Sequence, residues 1–92
     1  MIVGVLRVSI LIRESHSLKD KRRVVKSIKD RVRARLNVAI AEVSNQDLRQ
    51  RADLAAVTVA GDRARVEEVL GDVLKIVDRA HAERFDTSVE YF

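Results

Sequence analysis

Twice along this chain, a segment with apolar residues at every second position gives way to one with apolar residues at every third and fourth. Side chains alternate between the faces of a strand but return to one face of a helix about every 3.6 residues, so the switch marks a strand feeding a helix. In the first segment Ile2, Gly4, Leu6, Val8, Ile10 and Ile12 fall on one face, and Val3, Val5, Arg7, Ser9, Leu11 and Arg13 on the other. Ser17-Leu18-Lys19-Asp20 then predicts a helix start, with Ser17 as N-cap and Asp20 at the third helical position. Leu18, Val24, Val25, Ile28, Val32 and Leu36 carry that helix to about Leu36 and give it one apolar side.

Residues 37–43 and 52–60 are rich in Val and Ala and have no helix-length polar face, and the polar stretch 44–51 separates them. They predict a hairpin with a long loop. Gly61-Asp62 ends the second of these strands and caps a helix whose stripe is Val66, Val69, Leu70, Val73, Ile76, Val77 and Ala80. Residues 85–91 alternate again. The order βαββαβ is two strand-helix-strand units joined by a hairpin. It predicts an α+β, ferredoxin-like sandwich in which a four-stranded antiparallel sheet, order 4-1-3-2, carries both helices on one face. The 92 residues suffice for one such domain, 1–92, and leave no room for a second core.

With 47% apolar and 35% charged residues, no Pro and no Cys, the chain has neither a disordered composition nor a disulfide framework. Its two histidines, His16 and His81, lie far apart in sequence, and no glycine-rich phosphate loop is present, so no metal and no cofactor is expected. Arg7 interrupts the first apolar stretch well short of a membrane span; a cytoplasmic protein without a membrane partner is expected.

The net charge of +4 is modest but uneven, since residues 18–36 hold nine basic residues against two acidic ones. On a helical wheel Lys19, Arg22, Lys26, Lys29 and Arg33 form one stripe, with Arg23 beside it, roughly 21 Å long. Like charges four residues apart, such as Arg22 with Lys26, disfavour the helix, so stability alone does not select this pattern. Such a ridge suits a polyanion, and these six residues are the candidate nucleic-acid-binding set, with RNA or the ribosome as the expected partner.

Four further features accompany it. Asn45, Gln46 and Asp47 gather amides and a carboxylate at the hairpin tip, where they could contact a partner or simply build the turn. Val3, Val5, Leu11 and Val57 fall on the side of the sheet away from the helices, which makes a homodimer interface the alternative expectation. The central strands lack Phe and Tyr, which disfavours base stacking on that face. Ser15-His16-Ser17, with Arg13 nearby, precedes the first helix as the anion site of an acylphosphatase does in this fold. The loop glycines of that chemistry are missing, His16 reads as a turn residue, and no enzyme is expected. On the second helix Glu67, Glu68, Asp72, Asp78 and Glu83 alternate with Arg63, Arg65, Lys75 and Arg79 as a balanced solvated face.

Taken together, the run Ser15-His16-Ser17-Leu18-Lys19-Asp20-Lys21-Arg22-Arg23, the segment Val43-Ser44-Asn45-Gln46-Asp47-Leu48 and the opening Val3-Gly4-Val5-Leu6 resemble the YlxP-like family of small bacterial proteins over nearly the whole chain. The resemblance implies a ferredoxin-like fold. It also implies a role near RNA or the ribosome, because genes of this family tend to lie among those for transcription, translation initiation and ribosome maturation. Arg49 stands where the family pattern leads one to expect an aromatic residue, which removes a stacking role for that loop.

Overall fold

The computed structural model describes residues 1–92 and runs β1 Ile2–Leu11, α1 Leu18–Arg35, β2 Ala39–Ser44, β3 Arg51–Ala60, α2 Arg63–Arg79 and β4 Glu83–Tyr91. All pairings are antiparallel and the sheet order is β2-β3-β1-β4, the expected order read from the opposite edge. Both helices pack on one face and against each other, α1 mainly over β2 and α2 over β1 and β3.

The core follows from the alternation. Leu6, Val8, Ile10 and Ile12 of the first strand segment are buried under Val25, Ile28 and Val32 of α1 and Val66, Leu70, Val73, Ile76 and Val77 of α2. Ile40 and the β3 residues Ala52, Leu54 and Ala56 complete it. Gly4 sits where α2 lies closest to β1: a Cβ there would overlap Val66 and come within 2.9 Å of Leu70 Cδ1, so only glycine fits.

Each helix begins at its expected cap. Asp20 N–H donates to Ser17 Oγ at 3.0 Å, and Asp20 Oδ2 accepts from His16 N–H at 3.0 Å, so cap and third residue hold each other. Asp62 does the same service for Arg65 N–H at 2.9 Å. The last strand starts at Glu83, two residues before the alternation suggests, because a bulge interrupts its ladder: Ser9 faces Asp86 but Ile10 faces Arg84. The extra residue, Phe85, lies under the Arg51 guanidinium, 5.0 Å from ring centroid to Cζ.

Candidate nucleic-acid interface

The buried residues Lys21, Val25, Ile28 and Val32 set the rotation of α1 and so decide what its other sides present. Lys19, Arg22, Arg23, Lys26 and Arg33 are exposed and Lys29 is half-buried. At 3.6 residues per turn (about 100° each) Lys19, Arg22, Lys26, Lys29 and Arg33 share the flank towards β2. Arg33 Nη2 reaches that strand and donates to Ile40 O at 3.0 Å. Lys26 pairs with Asp30 at 2.6 Å, and this hydrogen bond first, then the charges of Lys26, Arg33 and Lys29, hold the Asp30 carboxyl below its ordinary value. Lys19, Arg22 and Lys29 have no hydrogen-bond or ion-pair partner in the fold. The expected stripe is therefore on one flank, with three of its five cations uncommitted. Arg23 stands beside the stripe as expected, sharing a shallow groove with Lys26, Ser27, Asp30 and Arg31, and with Ser27 and Arg31 it also borders the opposite flank, towards the end of α2.

One residue of the basic run has a different part altogether. Lys21 is 0% exposed, and its Nζ donates to Asn45 O at 3.1 Å, Gln46 O at 3.0 Å and Arg51 O at 3.2 Å. Glu42 Oε2 lies 2.9 Å from the same Nζ with no hydrogen bond of its own. An ammonium has three N–H groups and all three go to the carbonyls, so the carboxylate supplies charge compensation without a proton. The ion pair thereby fastens both ends of the β2–β3 loop to α1.

The loop itself is tightly engaged. Asn45 adopts φ 54°, a left-handed conformation that Asn tolerates, and its carbonyl accepts from Leu48 N–H at 3.1 Å. Its side-chain amide donates to Asp53 Oδ2 at 2.6 Å, while Gln46 Nε2 donates to Glu42 O at 3.0 Å. Of the three loop candidates, only the exposed Asp47 has no side-chain hydrogen bond within the fold; it points outward beside Leu48 and Arg49, which are also exposed.

On the open face of the sheet, Ser9 and Asp53 are register partners, and Ser9 Oγ donates to Asp53 Oδ1 at 2.6 Å. Arg51 grips both oxygens of the same carboxylate at 3.1 Å each. Burial alone would raise the Asp53 carboxyl, but the hydrogen bonds from Arg51, Ser9 and Asn45 outweigh it and hold the group down to about 2. The same contact with Asp53 raises Arg51. Ser9, Arg51 and Asp53, with Arg7, Asp86 and Ser88, line a cleft of about 530 Å³ whose remaining wall includes Val5, Val43 and Leu54. The open face therefore carries polar as well as apolar residues. Val3, Val5, Val57 and Val59 are register neighbours at one end, whereas Leu11 lies opposite Arg51, cut off from them by Arg7 and Ser9.

Around the start of α1, Arg13 is drawn to Glu83, with Nε 3.0 Å from both carboxylate oxygens. Ser15 is buried and gives its hydroxyl to Ser17 O at 3.0 Å; Gln50 Nε2 donates to Arg13 O and Ser15 O at 3.1 and 3.2 Å. His16 is exposed. These contacts build a turn and commit Arg13 to Glu83. No group of three or more His, Cys, Asp or Glu side chains is placed to hold a metal ion, and no helix is long and apolar enough to cross a membrane.

Residues 3–89 match the family described as "Protein of unknown function (DUF503)". Over 91 residues the chain is 35% identical to the "Uncharacterized protein YlxP" of Bacillus subtilis (strain 168), an alignment that covers 98% of this chain and 99% of that protein. Among solved structures, the "De novo designed protein Foldit4" is similar with a TM-score of 0.53 at 16% identity, covering 100% of this chain and 97% of that one. At that identity the likeness is one of fold alone.

Proposed function

The chain belongs to the DUF503 family, and from that premise we propose that it is a non-catalytic RNA-binding or ribosome-associated accessory protein that meets a phosphate backbone with the outer surface of α1. The observation that carries this reading is the charge of α1: nine basic residues against two acidic ones, with Lys21 already neutralised inside and Lys19, Arg22 and Lys29 left without partners on one flank. Uncompensated cations repel one another along a helix, and a polyanion removes that cost.

Salt dependence tests it. If three to five of these cations lie along phosphates, log affinity for single-stranded RNA falls against log salt with a slope of roughly −2 to −3.5. Changing Lys19→Gln and Arg22→Gln together should shrink that slope by up to about 1.4, to a similar extent on unrelated RNA sequences, because phosphate contacts position and do not specify. Unchanged affinity and slope in the double variant, or no RNA binding by the wild type, would overturn the reading.

A second reading is a homodimeric interaction module. It is favoured by the apolar end of the open sheet face, where Val57 and Val59 are 38% and 48% exposed beside Val3 and Val5. In that case light scattering at micromolar concentration gives twice the 10.4 kDa chain mass, and Val57→Lys returns it to one. A single-chain mass in the wild type would dispose of this reading.

A further inference from the structure

The end of α2 brings Arg79 and His81 up to α1. There Arg23, Ser27 and Arg31, each four residues from the next on α1, join Arg79, Ala80 and His81 around a cleft of about 250 Å³ with half-buried Val24 in its wall. No carboxylate lines this cleft. Every other cation of α2 has an acidic partner: Arg63 with Glu67 at 3.0 Å, Arg65 with Glu68 at 2.9 Å and Lys75 with Asp72 at 3.7 Å. Arg79 has none, and neither have Arg23 and Arg31, although Asp30 lies next to Arg31 and is taken instead by Lys26. The balanced face expected of α2 thus breaks at its last turn, and the arginine left over faces the two left over on α1.

A cation in a last helical turn complements the partial negative charge of the free carbonyls there, which accounts for Arg79 on its own. It does not account for Arg23 and Arg31, which stand inside α1 before its last turn. Three guanidiniums around one small cleft repel unless an anion enters, and the planar fork of Arg suits the oxygens of phosphate. The size is also informative, since the cleft is smaller than the roughly 300–1,000 Å³ of pockets that enclose drug-sized ligands and cofactors.

We propose that this cleft seats a single phosphate group, held by the guanidiniums of Arg23, Arg31 and Arg79, with the Ser27 hydroxyl and His81 beside it. The group can be a phosphodiester of an RNA strand crossing α1, in which case the seat rests on the RNA reading above. It can equally be free inorganic phosphate, in which case it does not.

The full chain, its Arg31→Gln/Arg79→Gln variant and the Lys19→Gln/Arg22→Gln variant from the opposite flank separate these cases. All four side chains are exposed and unpaired, so folding should be unaffected. Inorganic phosphate, titrated at constant ionic strength, is expected to shift the amide resonances of Ser27 and His81 saturably in the wild type and in the Lys19/Arg22 variant, but not in the Arg31/Arg79 variant. If RNA supplies the phosphate, the Arg31/Arg79 variant also loses about 0.7 to 0.9 from the magnitude of its salt slope, the share of one phosphate. If the RNA affinity of the Arg31/Arg79 variant equals that of the wild type while phosphate titrates the wild-type cleft alone, or if the wild type binds no RNA and phosphate still titrates its cleft, the source is free phosphate and the seat stands. The proposal is overturned if phosphate leaves those resonances unmoved or moves them equally in the Arg31/Arg79 variant. In that event a weakened Lys19/Arg22 variant would still uphold RNA binding by the other flank.

Discussion

Replacing Lys21 by methionine should destabilise the fold by about 3–5 kcal/mol, because it leaves the Glu42 carboxylate without its counter-charge and three carbonyls without their donor. Domains of this size are stable by only about 5–15 kcal/mol, so a large share of the total is at stake. Each kcal/mol moves the midpoint of a domain of this length by roughly 4–8 °C, which makes the expected fall in Tm at least about 12 °C. Glu42→Gln should be milder, about 1–3 kcal/mol, since the ammonium keeps its carbonyl acceptors. The two changes should not add, because both disrupt one contact. A Lys21→Met protein that melts within a few degrees of the wild type would show that the ammonium does not hold the loop.

Lys21 also marks where the sequence was readable and where it was not. The element order, both N-caps and the apolar stripes come directly from local patterns, since period and capping chemistry depend only on neighbours along the chain. Lys21 stands three residues after Leu18 and four before Val25, in phase with the apolar side of α1, and Glu42 is two residues after buried Ile40 on the helix-facing side of β2. Two opposite charges at core-phase positions of adjacent elements are the legible sign of a buried pair. The surrounding run of Lys and Arg conceals it when charges are merely counted. Arg23 and Arg79 could not be joined from sequence at all, because their meeting depends on how the two helices cross.

The second large effect concerns acid. Asp53 has its carboxyl held at about 2 in the fold against an ordinary value of 3.8. A carboxyl depressed on folding adds stability that is fully present above its ordinary value and disappears as pH falls through its folded value. Stability should therefore drop by about 2.5 kcal/mol from this group as pH goes from about 5 to below 2. Asp53→Asn should be less stable than wild type at pH 7, and the gap between the two should close in acid. Urea unfolding at several pH values measures that gap directly; a gap of constant size down to pH 2 would mean that Ser9, Asn45 and Arg51 do not stabilise the ionised form. None of this cluster was legible in advance. Both alternations of β3 are largely apolar, and only the register shows that Asp53 lies across from Ser9 and beneath the loop residue Asn45.

The carbonyls of Ile40 and Glu42, two residues apart on β2 and hence on one rim of an antiparallel ladder, are occupied by Arg33 and by the side chain of Gln46. A strand arriving from another molecule would have to displace both before it could pair there. The rim of β4 carries no such cover, its backbone receiving no side-chain hydrogen bond along Glu83–Tyr91. The two rims of this sheet are therefore unequal: side chains cover β2 and leave β4 open. If two molecules joined rim to rim through β4, each would present only its covered β2 rim to a third, so such pairing would stop short of a fibril.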